Sequence, residues 1–253
     1  MIKKLPRLLI FLSILITPPA WAMKATPQKK IEDEAMQALL SMSNYLKSSK
    51  NFSFEADVLY DDVLPSGQKI LVSSHNFVSL RRPENLFVEH ASDAGKRKLW
   101  FDGKSITLFD PENGTYGSDT FSGNTDKALN HLMNVLRFTP PLADFLYENP
   151  AAALTKTTLH GFVVGKTQID GKPCLHLAFV DPFVDWQIWI EERPIPLPIR
   201  LVITYKTIQS APQYLAHFTR WDFSRLPDSL FLAKIPQGSI QIPFLKTQQT
   251  VKK

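Results

Sequence analysis

The sequence predicts a mainly β (α+β) protein in which one long antiparallel sheet curls into an unclosed barrel around helices or around a hydrophobic cavity. If there is a cavity, the helices of the insert form its lid. Three observations lead to this fold class. Apolar and polar residues alternate over much of the chain, Asp-Gly pairs fall between alternating stretches, and a short helical insert separates two blocks of strands. Several strands are apolar on both faces, so neither face of the sheet is expected to lie fully in water.

The first 22 residues have the pattern of a cleaved secretory signal peptide. Three basic residues occur among the first seven, residues 8–16 are apolar apart from Ser13, and Ala20-Trp21-Ala22 supplies small residues at a cleavage site. The apolar run is too short to cross a membrane as a stable helix, although a retained N-terminal anchor is the alternative. We therefore expect Sec-dependent export to the periplasm and cleavage after Ala22. No cysteine stands directly after the apolar run, so no lipid anchor is expected. Once the signal peptide is cleaved, we also expect no transmembrane segment.

The composition of the remaining chain is typical of one folded domain, predicted over residues 23–253, with a lead-in at about 23–30 and a polar tail at about 244–253. Of 29 Lys and Arg residues, three leave with the signal peptide, so that 26 face 24 acidic residues and the net charge is +2. This small excess, with no basic stripe, predicts no nucleic-acid partner. The single cysteine, Cys174, excludes an internal disulfide, and we expect a monomer.

The first half of the domain is predicted to be a helix followed by an antiparallel meander. Apolar positions recur every three or four residues over 31–48, which predicts an amphipathic helix. Alternation then predicts strands at 52–60, 69–80, 85–90, 98–101 and 105–110. Turns are expected at Pro65-Ser66-Gly67, Asp102-Gly103 and Asn113-Gly114.

The second half begins with a helical insert and returns to strands. An apolar stripe predicts a helix over 125–138, capped by Asn124 or Thr125, and 142–147 indicates a second short helix. Strands are predicted at 158–167, 172–180, 186–192, 199–206 and 214–223. The prolines at 194, 196 and 198 predict a loop or a sheet edge, and a last apolar stretch at 230–235 precedes the tail.

Side chains that could bind a metal or take part in catalysis are present, but they form no recognisable motif. Cys174 and His176 would lie on one strand face, but two ligands do not make a metal site, and the apolar neighbours of Cys174 favour a buried thiol over a reactive one. Asp181 and Asp185 could form an acid/base pair, although capping of the turns beside Pro182 is the simpler interpretation. No nucleophile motif and no glycine-rich phosphate loop occur. The sequence therefore predicts a protein that is not an enzyme and has no cofactor or metal.

The surplus of aromatic and aliphatic residues suggests an apolar pocket, with packing in an ordinary core as the alternative. Residues placed on the predicted lid helices and on the tryptophan-bearing strands are the candidates for ligand contact. They are Trp100, Leu132, Leu136, Leu142, Phe145, Trp189 and Trp221.

Six segments carry a family resemblance. They are 81–84 (RRPE), 100–104 (WFDGK), 140–144 (PPLAD), 174–179 (CLHLAF), 185–190 (DWQIWI) and 196–201 (PLPIRL). With these segments the chain resembles a family of predicted periplasmic proteins of unknown function that is grouped with the LolA/LolB-like lipoprotein carriers. The resemblance implies an unclosed barrel around a hydrophobic cavity, which in the carriers holds lipoprotein acyl chains. It also implies an arginine near the cavity mouth that helps to hold the lid, for which Arg81 and Arg82 are the candidates.

Two functions follow as hypotheses. The first is a periplasmic, non-catalytic carrier or sensor that binds a lipid or the acyl chains of a lipoprotein. The second is an accessory scaffold with a filled core, which would contact an envelope protein through the proline-rich segment at 193–200.

Overall fold

A computed structural model describes residues 30–244 of the 253-residue chain. The predicted signal peptide, nearly all of the lead-in and nearly all of the polar tail lie outside these described residues. Within residues 30–244, the structure contains three α-helices, two 3-10 helices and one 13-stranded sheet.

The sheet consists of two runs of neighbouring strands, here called wings, which meet in its middle. The N-terminal half of the chain forms a helix and most of one wing. Its elements are β1 (Lys30–Ile31), α1 (Asp33–Ser48), β2 (Asn51–Val63), β3 (Lys69–Arg81), β4 (Asn85–Ser92), β5 (Gly95–Phe101), β6 (Ser105–Asp110) and β7 (Thr115–Thr120). The insert that follows contains α2 (Thr125–Asn134), a 3-10 turn at Ala143–Phe145 and α3 (Pro150–Leu154).

The C-terminal half forms the other wing and then returns to the first. Its elements are β8 (His160–Ile169), β9 (Lys172–Val180), β10 (Val184–Glu191), β11 (Pro198–Tyr205), β12 (Gln213–Asp222), a 3-10 turn at Asp228–Leu230 and β13 (Ile240–Gln241).

The strand order is β1-β8-β9-β10-β11-β12-β2-β3-β4-β5-β6-β7-β13. The two wings meet where β12 pairs with β2, so the last long strand of the chain lies beside the first. All pairings are antiparallel except at the two ends, where β1 joins β8 and β13 joins β7 in parallel. The ends of the sheet do not pair with each other, which confirms the predicted unclosed, curled sheet.

Strict alternation sorts the strand residues onto two faces. On β2, Phe52, Phe54, Ala56 and Val58 point to the concave face, where the main core also contains the buried sides of α1 and α2. The convex face of β3 to β6 is covered by the C-terminal segment 226–235, which packs on Phe87, Trp100 and Phe109. Both faces are thus buried over β3 to β6, and on β8 to β11 a separate small cluster of Ile169, Cys174, Ile199 and Trp189 lies on the convex face.

The hairpin turns follow from local sequence. Asp170 and Gly171 have φ values of 52° and 71°, the left-handed pair that a two-residue hairpin needs and that Asp-Gly adopts at low cost. The predicted cap of α2 is also present, because the Asn124 side chain accepts a hydrogen bond of 3.1 Å from the backbone N–H of Lys127.

Several predicted boundaries were wrong. The first helix begins at Asp33, because Lys30 and Ile31 pair with β8 instead of joining the helix. The second helix ends at Asn134 and not at residue 138, because the N–H groups of Val135 and Leu136 share the carbonyl of His131 and Arg137 turns left-handed. The short elements β1, α3 and β13 were not predicted, since two to five residues give no periodic signal.

Candidate functional site

A cavity of about 410 Å³ opens at one end of the concave face. Its wall on the sheet comes from the ends of β2 to β5 and of β11 and β12, and its cover comes from residues 138–144, here called the lid segment, with Met133 of α2. The lining residues outside the lid segment are Val58, Tyr60, Ser74, Asn76, His90, Arg97, Met133, Leu201, Ile203, Tyr205 and Tyr214. The other end of the concave face is filled by the main core.

One side of the cavity is apolar. Leu201 and Ile203 on β11 and Val58 on β2, two strands away, line this side, and the lid segment contributes Phe138 and Leu142. Neither the strand ends nor the lid side chains fill this space, so apolar surface remains open to a ligand.

The opposite side, on β3 to β5, is polar. Asn76, His90 and Arg97 stand in one row across the three strands, because Asn76 pairs with His90 and His90 pairs with Arg97. The Nδ1 of His90 lies 2.7 Å from Oδ1 of Asn76, whose amide nitrogen donates to Ser74 Oγ at 3.4 Å. Burial lowers the pKa of His90, and the positive charge of Arg97 lowers it further, so the imidazole is neutral at neutral pH.

A carboxylate stands in the cover of the cavity. Asp144 belongs to the lid segment and is exposed to the cavity space, yet the protein around it displaces bulk water, and this desolvation raises its pKa. Tyr205 and Tyr214 line the same space, and burial together with the charge of Asp144 raises the pKa of both phenols. The two phenols therefore remain neutral donors in the cavity wall.

The lid segment is fastened at both of its ends. On the C-terminal side, the guanidinium of Arg82 donates to the carbonyls of Leu146 and Tyr147 at 3.5 and 2.9 Å, and Tyr147 Oη donates to Asn130 at 2.9 Å. On the N-terminal side, the backbone N–H of Phe138 donates to the carbonyl of Leu132 at 2.9 Å. Between these anchors, Leu142 has a φ of 56°, a conformation that costs an L-residue about 1–2 kcal/mol.

The residues predicted to contact a ligand lie at three different places. Leu142 lines the cavity, whereas Leu132, Leu136 and Phe145 lie in the main core beneath the lid segment. Trp221 packs among Phe52, Phe54, Phe218 and Phe223 at the filled end of the concave face, and its indole N–H donates to Pro198 O at 3.1 Å.

The other two tryptophans lie on the convex face. Trp100 is buried beneath the C-terminal segment, in contact with Phe87. Trp189 stacks on His176 with ring centroids 4.0 Å apart. The alternation along β5 indicates that Trp100 points to the convex face, because its neighbours Leu99 and Phe101 point into the main core.

The two candidate arginines have different partners. Arg82 holds the chain directly after the lid segment, as described above. Arg81 points to the convex face, where it pairs with Asp228, donates to Asn85 at 2.9 Å and lies 4.8 Å above the ring of Phe231. Arg81 therefore fastens the C-terminal segment and does not reach the cavity.

The residues considered for catalysis or metal binding have structural partners. Cys174 is fully buried beside Ile169 and Ile199, and burial raises the pKa of its thiol. The carboxylate of Asp181 accepts from Thr157 and from the Trp186 indole, while Asp185 pairs with Lys206 at 2.7 Å. In the described part of the chain, no three His, Cys, Asp or Glu side chains come together as metal ligands would.

A second concavity of about 560 Å³ lies between α1 and the proline-rich loop. Ala38 and Ser41 of α1 form one side, and Leu175 and Ile190 form its base. The loop contributes Pro194 and Pro196 together with the charged residues at 191–193.

The family described as "Predicted periplasmic protein (DUF2092)" matches residues 35–245 of this chain. This match confirms the family resemblance found in the sequence. None of the curated proteins has a matching sequence. No helix within residues 30–244 has both the length and the apolar character needed to cross a membrane.

Three solved structures illustrate what the fold is similar to. An uncharacterized conserved protein from Thermus thermophilus is 8% identical, with a TM-score of 0.48 over 83% of this chain and 99% of that chain. The lipoprotein LppX from Mycobacterium tuberculosis is 12% identical, with a TM-score of 0.45 over 75% of this chain and 96% of that chain. The LolA superfamily protein NE2245 from Nitrosomonas europaea is 12% identical, with a TM-score of 0.38 over 79% of this chain and 98% of that chain.

Proposed function

This chain belongs to the DUF2092 family of predicted periplasmic proteins, and we propose that it is a non-catalytic periplasmic binding protein for a lipid or for a lipoprotein acyl chain. It acts as a carrier or a sensor after export without a lipid anchor, with residues 23–253 as one domain. The observation that carries this proposal is the apolar side of the 410 Å³ cavity, which faces a fastened but irregular lid segment.

The driving force is the removal of hydrocarbon from water. Each buried methylene contributes about 0.8 kcal/mol, so burial of about ten methylenes supplies roughly 8 kcal/mol, the free energy of a micromolar complex before the cost of ordering the chain. The cavity volume lies in the lower part of the range of about 300–1,000 Å³ that ligand pockets occupy, which suits one chain better than several. Val58, Phe138, Leu142, Leu201 and Ile203 are the proposed contacts.

The first experiment is native mass spectrometry of the mature protein, purified from periplasm without detergent and followed by lipid extraction. We expect a defined additional mass that is recovered in the lipid fraction. A mass equal to that of the polypeptide, with no uptake of added fatty acid or lipopeptide, would contradict the proposal.

A cavity-filling variant tests the location of the site. Ile203→Trp places an indole in the space between β11 and the lid segment, and we expect it to lower lipid uptake at least tenfold. Val202→Trp is the matched control, because its side chain leaves the same strand on the opposite face. Equal uptake by the two variants would show that the ligand binds elsewhere.

The second concavity favours an alternative function, in which the chain is an interaction scaffold for an envelope protein. The apolar base at Leu175 and Ile190, with prolines on one side, is suited to an extended peptide. Under this alternative, Ala38→Glu abolishes recovery of a stoichiometric partner from envelope extract, while lipid uptake stays unchanged.

A further inference from the structure

We infer that the cavity selects an amphiphile with an anionic head group, a phosphate or a carboxylate, and that Arg97 binds this head group. The inference rests on the proposed function, since it concerns the same cavity. It is carried by the polar row on β3 to β5, which stands opposite the apolar side formed by β11 and the lid segment.

Arg97 is a cation without an acidic partner at this site. Within residues 30–244, its guanidinium forms no ion pair, whereas its neighbour Lys98 pairs with Glu89 at 3.1 Å. The positive charge of Arg97 acts on the carboxylate of Asp110 without forming an ion pair with it. That carboxylate already accepts three hydrogen bonds, two of them from Asn113. Asp144, the carboxylate of the lid segment, owes its raised pKa to the loss of bulk water around it and not to a nearby charge. The guanidinium donors of Arg97 are therefore free for a ligand.

The neighbours of Arg97 fit an anionic, hydroxyl-bearing head group and not a cation. Because Oδ1 of Asn76 can only accept, Nδ1 of His90 carries the proton in this arrangement, and the neutral ring keeps Nε2 as an acceptor. An anion would sit on Arg97, where a planar fork of N–H donors matches phosphate or carboxylate oxygens. A hydroxyl of the same head group would donate to Nε2 of His90.

The position of Arg97 fixes the direction of the ligand. Arg97 is exposed on the open part of β5, while Leu201, Ile203 and Phe138 line the cavity on its apolar side. A bound amphiphile therefore keeps its charge near solvent at β5 and places its chain against β11 and the lid segment. This polarity is the property that a carrier needs if it is to exclude uncharged hydrocarbons of equal length.

The test compares three probes by isothermal titration calorimetry on the delipidated protein. The probes are monododecyl phosphate, dodecan-1-ol and inorganic phosphate, the amphiphiles being used below their aggregation concentrations. We expect dodecyl phosphate to bind about tenfold to a hundredfold more tightly than dodecanol, and inorganic phosphate to show no binding at millimolar concentration.

Variants then assign the preference to one side chain. In Arg97→Gln, the preference for dodecyl phosphate over dodecanol should fall to less than about threefold, while dodecanol binds as before. In Arg97→Lys, which keeps the charge, part of the preference should remain. Lys96→Gln removes an equal charge from the other face of β5 and should keep the full preference. A preference that survives in Arg97→Gln, or is lost equally in Lys96→Gln, would overturn the inference.

The two proposals fail in distinguishable ways. If dodecanol and dodecyl phosphate bind the native protein equally well, the head-group inference is wrong and the apolar site stands. If neither binds, both proposals are wrong. If inorganic phosphate binds as tightly as dodecyl phosphate, the site is one for a free anion, and the amphiphile inference is overturned.

Discussion

At the scale of the residue, the site is recognisable by polar side chains that occupy positions of the core pattern. Asn76 stands on the same face of β3 as Val78 and Leu80, which are fully buried in the main core. His90 and Arg97 occupy the equivalent positions on β4 and β5. The sequence contains this signal, because alternation alone assigns these residues to the inner face. The ligand contacts predicted from the sequence are all apolar or aromatic, so these three polar residues are not among them.

The carboxylate of Asp144 is expected to lower the free energy of unfolding of the ligand-free protein. Its pKa is raised above the ordinary value of 3.8, so the folded state disfavours the charged form. Asp144→Asn should therefore increase the free energy of unfolding at pH 7. The gain is fully present above the raised pKa, shrinks as the pH falls through that pKa, and is lost below 3.8, where the native carboxyl group is neutral in both the folded and the unfolded state.

Urea unfolding at pH 7.0, 5.5 and 4.0 measures this gain. Asp62→Asn, on the exposed part of β2, is the control that removes a solvated carboxylate. An Asp144→Asn gain that is no larger than the control's, or one that grows on acidification, would contradict this account of Asp144.

At the scale of the element, Arg81 and Arg82 are adjacent in sequence but fasten different segments. Arg82→Leu should increase backbone amide exchange in residues 138–147 and leave 226–231 unchanged, since its bonds go to the carbonyls of Leu146 and Tyr147. Arg81→Leu should do the reverse, because its partners include Asp228 and the ring of Phe231. We expect each variant to lose about 1–3 kcal/mol of local stability.

Hydrogen exchange with peptide-level resolution measures both segments in the same experiment, so each variant serves as the control for the other. Faster exchange in both segments of either variant would show that the lid segment and the C-terminal segment open together. The sequence named the two arginines as candidates, but it could not separate them. Their side chains point to opposite faces only once β3 is known to extend to Arg81.

At the scale of the whole molecule, binding and folding are linked. A ligand that binds only the folded protein adds about 2.7 kcal/mol to the free energy of unfolding at one hundred times its dissociation constant. Protein purified from periplasm should therefore unfold at a higher temperature than the same protein after delipidation, and added lipid should restore the difference. Identical melting curves before and after delipidation would argue that the native protein is empty.

The fold was largely predictable because the sheet is built from local signals. Strands β6 and β9 have the predicted bounds, and the Asp-Gly turns fall where expected. The alternation of apolar and polar residues could not show what covers each face of the sheet. Trp100 and Trp189 are apolar residues on the convex face, where the chain itself supplies the cover for Trp100 through residues 226–235. A doubly apolar strand thus indicates two buried faces, but not which of them holds a ligand.

The short terminal strands have a consequence for self-association. β1 pairs with only two residues of β8, and beyond them the outer edge of that ten-residue strand has no partner strand within residues 30–244. The backbone N–H of Val163 donates to the Glu32 carboxylate there, and the side chains of Phe162 and Val164 are exposed beside it. A break in register between Val163 and Gly165 bends this edge, and Lys166 adds a charge beside the bend. Bent and charged edges are poor templates for another strand. We therefore expect the break in register at Gly165 to disfavour edge-to-edge association of one copy of the chain with another.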